Sequence, residues 1–400
     1  MVKGLKSVLV NSKSLSEIAQ QFVKYGDIEG VTALGHGNIN STFLVTVSAV
    51  AGHPTLERFV LQRINRQVFR QPERVIHNMV ALGDYWDGAC QQKTGHKSAG
   101  LPRRWEIPRI LQTNQGQNYW IDEAGDYWRA ISFIEDAQVC ESVESVAHAQ
   151  EIGYGLAMFH KLMSKLPTDT LADTLEGFHI TPAYLTEYEQ VSRDRLPLDD
   201  IQTSGLTEAS GFTEEQTLQI SYCRAFIEAR KAWADVLEKA KAAGRLKLRP
   251  IHGDPKVNNI MMAANGQAVS LIDLDTFKPG LLHYDIGDCL RSGCNRLGEE
   301  TEDWHNVVFD VDLAKAMLKG YLSLAKDFWD EQDYDYLYDA IRLMAFELGL
   351  RFFTDYLAGD VYFKVKHSTH NLARALVQFK LTESIEAQAD ILRTMIQEMR

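Results

Sequence analysis

Cysteine is scarce and scattered. Cys90, Cys140, Cys223, Cys289 and Cys294 are the five in 400 residues, an odd number with no C-x-x-C pair. That argues against a disulfide framework or a thiolate metal cluster and favours buried thiols in a reducing compartment, so a cytoplasmic protein is expected. Long apolar runs are missing as well. No stretch reaches the ~20 uninterrupted apolar residues needed to cross a bilayer. The opening MVKGLKSVLVNSKSLSEIAQ has one short apolar stretch and no small-residue cleavage pattern, so no secretory leader is expected. Basic charge is not in excess: 42 Lys and Arg stand against 54 Asp and Glu, a formal net charge of -12. Sequence-independent binding to nucleic acid depends on phosphate neutralisation by clustered cations, so neither nucleic acid nor membrane is an expected partner. Internal repeats and low-complexity tracts are absent.

What is there is the composition of a folded enzyme, 45% hydrophobic and 24% charged, and long enough for two separate cores. From Gly30 to about Arg63 the text is β-like, with VTALGHGNINSTFLVTV, a Gly-Pro turn at Gly52 and Pro54, and RFVLQRI. Helical text at ERVIHNMVALGDYW and further β-like runs at NYWIDEA and YWRAISFI follow. After Glu135 apolar residues recur three and four apart, in VESVAHAQEIGYGLAMFHKLM, in one long helix over EEQTLQISYCRAFIEARKAWADVLEKAKAAG ending at Gly244, and in three further helical stretches. A strand-rich patch from about Leu248 to Asp275 interrupts them. The expected fold class is α+β, with a small mixed lobe over residues 1–134 and a large, mainly helical lobe over 135–400.

The patch IHGDPKVNNIMMAANGQAVSLIDLD carries the chemistry. Two apolar strands flank Asn265-Gly266, a strong hairpin signal. Folding the hairpin brings Asp254, before the first strand, to the same end as Asp273, after the second. A three-residue loop of Ala264, Asn265 and Gly266 would set Asn259 opposite Leu271 and put Asn259 and Asp273 on one side of the ribbon. Phosphoryl transfer needs a group that orients an incoming hydroxyl and accepts its proton, and hard oxygen ligands for magnesium. Asp254 suits the first role, Asn259 and Asp273 the second; the plain alternative is that His252 and Asp254 merely tie the hairpin.

HGDPKVNN resembles the HxDxxxxN loop of aminoglycoside and choline phosphotransferases, members of the protein-kinase-like superfamily, and LIDLD resembles their metal-binding IDxD segment. The resemblance implies a bilobal protein-kinase-like fold, ATP and Mg2+ as cofactors, Asp254 as base, and Asn259 and Asp273 as metal ligands. His252 would anchor the loop, Asp275 would stand behind the metal or hold a second one, and Asp285, Asp288 and Arg291 in HYDIGDCLR would be chiefly structural. GHGNINSTFLV, with Gly35, Gly37 and Asn38, resembles the glycine-bearing hairpin over the nucleotide phosphates. It is neither a Walker A loop nor a dinucleotide fingerprint. In FVLQR, Gln62 stands where relatives carry a phosphate-pairing lysine, with Arg63 beside it on the opposite face by alternation and Glu73 as a candidate partner. SFIED, with Phe133 and Glu135, resembles the hinge whose backbone meets adenine.

Longer stretches, namely NINSTFLV, FVLQRIN, PKVNN, LIDLDTFKPGLLHYDIGD, FELGLRFFTDYLAGDVYF and HNLARALVQF, are similar to the branch that contains N-acetylhexosamine 1-kinases. This implies a small-molecule sugar substrate phosphorylated at the anomeric hydroxyl. The GNIN sequence at Asn38 departs from the GHIN common in that branch, with His36 displaced upstream. Independently, Glu347, Arg351 and Asp355 recur every four residues on one helix face. Two readings stand: an i,i+4 salt-bridge ladder on a solvated face, or a polar wall meeting sugar hydroxyls, with Arg351 foremost, Tyr362 next and Glu347 beside them. Trp304 and Trp329 read as core or surface. Phosphorylation of an amino alcohol or aminoglycoside, and an inactive nucleotide-binding scaffold, are the alternatives to a sugar kinase.

Overall fold

The structure is a computed structural model and describes residues 12–35, 39–49, 57–91, 103–195 and 213–400. Gly37 and Asn38 of the glycine-bearing hairpin, with His36, lie outside the described residues. The chain divides into two compact units, Met1–Gly100 with Glu106–Glu135, and Leu101–Trp105 with Asp136–Arg400. The division thus falls one residue beyond the expected 134/135 boundary, and a short segment around residue 103 belongs with the second unit. The fold class is the expected α+β, a small mixed unit and a large, mainly helical one.

The first unit contains α1 (Ser12–Gln20), β1 (Ile28–Ala33), β2 (Ser41–Val47), β3 (Glu57–Ile64), α2 (Pro72–Gln91), β4 (Ile110–Leu111), β5 (Trp120–Ile121) and β6 (Tyr127–Ser132). Its sheet runs β1-β2-β3-β6-β4, antiparallel throughout, with β5 also on β6. β1, β2 and β3 account for the β-like text from Gly30 to Arg63. Alternation explains its two faces. Phe59 and Leu61 join Val45, Val47, Trp128 and Ala130 in burying the apolar face of α1, with Leu15, Ile18 and Phe22. The intervening Gln62 and its cross-strand neighbour Arg129 look the other way, where Met79 of α2 meets the Arg129 guanidinium.

The second unit contains β7 (Ala137–Val139), α3 (Val146–Met163), α4 (Thr181–Arg195), α5 (Glu214–Arg230), α6 (Val236–Ala242), β8 (Arg249–Ile251), β9 (Ile260–Ala263), β10 (Ala268–Leu271), β11 (Lys278–Gly280), α7 (Leu282–Gly293), α8 (Val311–Ala325), α9 (Glu331–Asp335), α10 (Leu337–Ala358), α11 (His370–Ala387) and α12 (Ala389–Met399). The single long helix expected up to Gly244 is instead α5, a 3-10 turn at Lys231–Trp233 and α6. The apolar period continues through the break, which is why the pattern hides it. α3 begins at Ser145, whose hydroxyl accepts from the His148 N–H. It packs on α8 at backbone contact: a Cβ on Gly153 would lie 1.9 Å from the Met317 carbonyl, and one on Gly320 would lie 1.9 Å from that of Gln150. Only glycine permits that crossing. Trp304 and Trp329 are packing residues, the first tilted against Tyr222 and the second among His283, Tyr321 and Tyr334. Among the described residues no helix is long and apolar enough to cross a membrane.

Candidate active site

The hairpin β9–β10 closes as expected, with a three-residue loop. Ala263 N–H donates to Gln267 O at 2.9 Å, and Gly266 takes the left-handed φ of 77° that this loop requires. The register beyond it differs from expectation. An irregularity between Ala268 and Ser270 shifts the pairing so that Leu271 faces Ile260, and Ile272 N–H, not a Leu271 pairing, meets Asn259 O at 2.9 Å. Simple alternation would then send Asp273 to the far side from Asn259. The chain instead leaves the strand at Asp273 in a left-handed conformation, φ 64° and ψ 58°, which re-aims the carboxylate. Asp273 is exposed and Asp275 buried.

The loop preceding β9 is held from below. One buried carboxylate, Asp285 of α7, accepts the N–H groups of His252 (2.7 Å) and Gly253 (2.8 Å), and its Oδ2 is 2.8 Å from His160 Nε2, whose Nδ1 meets the Tyr321 hydroxyl. Burial pushes the His252 pKa down. The neutral ring donates from Nε2 to Ile272 O (2.8 Å) and accepts the Asp254 N–H at Nδ1 (3.3 Å). Asp254 itself is 30% exposed. Lys256 Nζ donates to its Oδ2 at 2.8 Å, and Asn259 Nδ2 donates to its backbone O at 2.8 Å and its Oδ2 at 3.4 Å. Burial favours the neutral acid, but Lys256 above all, then His252 and Arg291, hold the Asp254 pKa below its ordinary value. Burial likewise opposes the charge on Lys256, and Asp254, Asp273 and Glu299 overcome it. That lysine therefore senses both carboxylates. Arg291, buried on α7, donates to Asp288 (2.8 Å) and Glu299 (3.1 Å).

The three charges of α10 do not form a ladder. Glu347 is buried and fully occupied, its Oε1 2.9 Å from His179 Nδ1 and its Oε2 accepting the Thr181 hydroxyl at 2.6 Å. Asp355 is buried too. It accepts the N–H groups of Val361, Tyr362 and Phe363 at 2.8 to 2.9 Å and the Asn371 amide, and so pins the loop that carries Tyr362. Between them, Arg351 has no hydrogen-bond or ion-pair partner among the described residues. Its guanidinium lies 5.1 Å from the ring centroids of Phe178 and Tyr184, 5.7 Å from Tyr362 and 5.4 Å from Phe363. Burial works against its charge, while Tyr184, Tyr362, Glu347 and Asp254 push its pKa up. Arg351 and Asp254 thus lie within electrostatic reach of each other. Glu347, read from sequence as a substrate contact, is instead an internal strut, because both its oxygens already have partners.

In the first unit, the residues read as nucleotide contacts are largely engaged with one another. The Gln62 carbonyl accepts from Arg129 Nε (3.0 Å) and Nη2 (2.7 Å), and its amide donates to Thr42 (3.1 Å). Arg63 pairs with Asp126 at 3.1 Å, and Glu73, its expected partner, accepts the Tyr127 hydroxyl instead. Glu135 pairs with Arg58, whose guanidinium covers the Phe133 ring at 4.6 Å. Gly35 is left-handed, φ 68°. Two candidates beside Asp254 escaped sequence reading. Lys256 stood inside the quoted motif, whereas His179 in GFHITPAY gave no local signal.

The chain belongs to the Phosphotransferase enzyme family, whose profile matches residues 30–321, and it is accordingly a small-molecule phosphotransferase. The fold is similar to that of an aminoglycoside phosphotransferase from Alicyclobacillus acidocaldarius, at TM-score 0.55 and 16% identity over 96% of each chain. It is similar also to a microcompartment-associated aminopropanol kinase, at TM-score 0.56 and 16% identity over 93% of this chain and 98% of the other. A choline kinase from Cryptosporidium parvum matches at TM-score 0.56 and 13% identity, over 97% of this chain and 100% of the other.

Proposed function

We propose that this phosphotransferase moves the γ-phosphoryl group of ATP to a sugar, with the anomeric hydroxyl of an N-acetylhexosamine or related hexose as acceptor. The observation that carries the reading is Arg351: a cation ringed by Phe178, Tyr184, Tyr362 and Phe363, near Asp254, with no hydrogen-bond acceptor of its own among the described residues. A sugar supplies hydroxyl and carbonyl oxygens for the guanidinium and apolar C–H faces for the rings. A cationic amino alcohol or aminoglycoside would meet like charge at that position.

In this reading Asp254, ionised and partly exposed, orients the acceptor hydroxyl and takes its proton as the acceptor oxygen bonds to the γ-phosphorus and the bond to the β-phosphate oxygen breaks. Lys256 holds the carboxylate in place. Asn259 donates its Nδ2 to Asp254, which leaves Oδ1 as a hard oxygen ligand, and with the exposed Asp273 carboxylate it fits Mg2+. Bound there, the metal would neutralise phosphate charge. Of the first unit's candidates, the reading retains the backbone of Gly35, Phe133 and Glu135 as nucleotide contacts, because the side chains of Gln62, Arg63 and Glu135 are engaged within the protein.

That engagement favours one second reading, an inactive nucleotide-binding scaffold, since the lysine position holds a neutral residue. Phosphorus NMR of transfer from Mg-ATP to hexoses, N-acetylhexosamines, amino alcohols and aminoglycosides separates the two. A sugar 1-phosphate is the expected product. A phosphorylated amine-bearing acceptor would refute the sugar assignment while keeping the mechanism, and Mg-ATP binding without transfer to any acceptor would favour the scaffold.

A further inference from the structure

We infer that His179 is a positioning residue for the loop bearing Asp254: held as an imidazolium between Glu347 and the Gly253 carbonyl, it sets the direction of the Asp254 carboxylate. This rests on the reading of Asp254 as the group that engages the acceptor.

Both ring nitrogens face oxygen atoms. His179 Nε2 is 2.7 Å from Gly253 O, and Nδ1 is 2.9 Å from Glu347 Oε1. A carbonyl only accepts, and so does a carboxylate at position 347, whose other oxygen already accepts the Thr181 hydroxyl. A neutral imidazole would turn a lone pair toward one of these oxygens, so the doubly protonated ring is the form that satisfies both. The groups facing it are Glu347 from α10, Tyr284 stacked at 5.3 Å and Asp288 from α7, Gly253 from the loop, and Phe178 and Tyr184 from its own segment. Burial opposes the charge, and Glu347, the Gly253 carbonyl and Asp288 outweigh it, raising the His179 pKa. His179 also sits at φ 65°, a conformation that a non-glycine residue keeps only where its surroundings over-determine it.

What the clamp controls is a single peptide plane. The carbonyl of the Gly253–Asp254 peptide is held by His179 and its N–H by His252 Nδ1, so neither end can rotate without breaking a hydrogen bond. Asp254 hangs from that plane. Glu347 and Arg351 are four residues apart on α10, so one helix presents the acceptor-facing cation and, through His179, fixes the loop that presents the carboxylate. Loss of the imidazolium proton at alkaline pH releases one of the two bonds, and the consequence is a fall in kcat rather than in acceptor binding.

Two variants and two readouts test this. Displacing a reacting group by a fraction of its reach lowers kcat in His179→Ala on the order of 10- to 100-fold, while acceptor KM changes by less than about threefold. In substrate-free protein, amide hydrogen exchange at Gly253 and Asp254 speeds up. Glu347→Gln supplies an amide N–H to a neutral His179 and still accepts from Thr181, so it keeps most of the wild-type kcat and abolishes the alkaline limb of the kcat profile. Unchanged exchange at Gly253 and Asp254 in a folded His179→Ala protein, or an unaltered alkaline limb in Glu347→Gln, overturns the inference. Exchange is read without turnover, so it judges the clamp even if Asp254→Asn keeps transferring phosphate and the base assignment falls.

Discussion

Two arginines, one in each unit, differ in what meets their guanidinium N–H groups. Arg129 is 1% exposed, and Gln62 and Met79 receive its donors. Arg351 is only half-buried. It has rings around its face, yet no oxygen receives its N–H groups among the described residues. A buried guanidinium finds acceptors, as Arg129 does, since leaving its donors unmade costs more than the bond contributes when formed; the half-buried Arg351 is open to solvent. The contrast makes Arg129 a brace of the sheet and leaves Arg351, in the reading proposed above, as the cation that faces the acceptor.

The largest expected effect breaks the second unit's site at its centre. Asp254→Asn keeps size and hydrogen-bonding atoms but not basicity, and should lower kcat by about 10²- to 10⁴-fold; steady-state kinetics beside a thermal melt decides whether the loss is chemical or structural. Next, Arg351→Met retains the stem and removes the charge. A charged hydrogen bond to the acceptor is worth about 1.5–3 kcal/mol, so kcat/KM should fall roughly 10- to 100-fold, and a lower melting temperature with unaltered KM would instead class Arg351 with Arg129. The reciprocal change, Gln62→Ala, strips a buried guanidinium of its acceptor and should cost about 2 kcal/mol in urea unfolding with acceptor KM untouched. A KM shift there would erase the distinction between the units.

The smallest effect concerns a third network, which tethers the segment after Tyr362. Glu300 accepts from Lys366 (2.7 Å), His370 (2.9 Å) and Arg374. Burial raises its pKa, but these partners bring it down from 4.5 to about 2. A depressed carboxylate stabilises the fold above its unfolded pKa and loses that contribution as pH falls through the folded value. Acid titration of the melting temperature should therefore show a loss between pH 4.5 and about 2 that Glu300→Gln largely removes. Identical acid limbs would mean that Glu300, 41% exposed, is screened by solvent.

Local text went far in this chain. Asp254, Asn259 and Asp273 lie within one hairpin, and turn chemistry at Asn265-Gly266 brings them to one end whatever the rest of the chain does. The three-residue loop was legible for the same reason. The bulge before Ser270 was not, because the apolar run MMA…AVSL has no alternation to betray a shifted register. Helix existence was legible from apolar periods, whereas the break after Arg230 was masked by a period that continues across it. Arg351 stood out as a charge on an apolar helix, but its four-residue spacing from Glu347 and Asp355 fitted a ladder equally well. Only folding assigned Glu347 to His179 and Asp355 to the 361–363 backbone.

The sequence by itself determined the family, the α+β plan and the hairpin that follows Asp254, because each depends on residues close in the chain and on short-range turn and period rules. The tertiary structure alone decided which charges are braces and which face outward. Hydrogen-bond partners such as His179 and Glu347, or Gln62 and Arg129, are far apart in sequence, and whether a buried charge is satisfied depends on every group that packing brings to it.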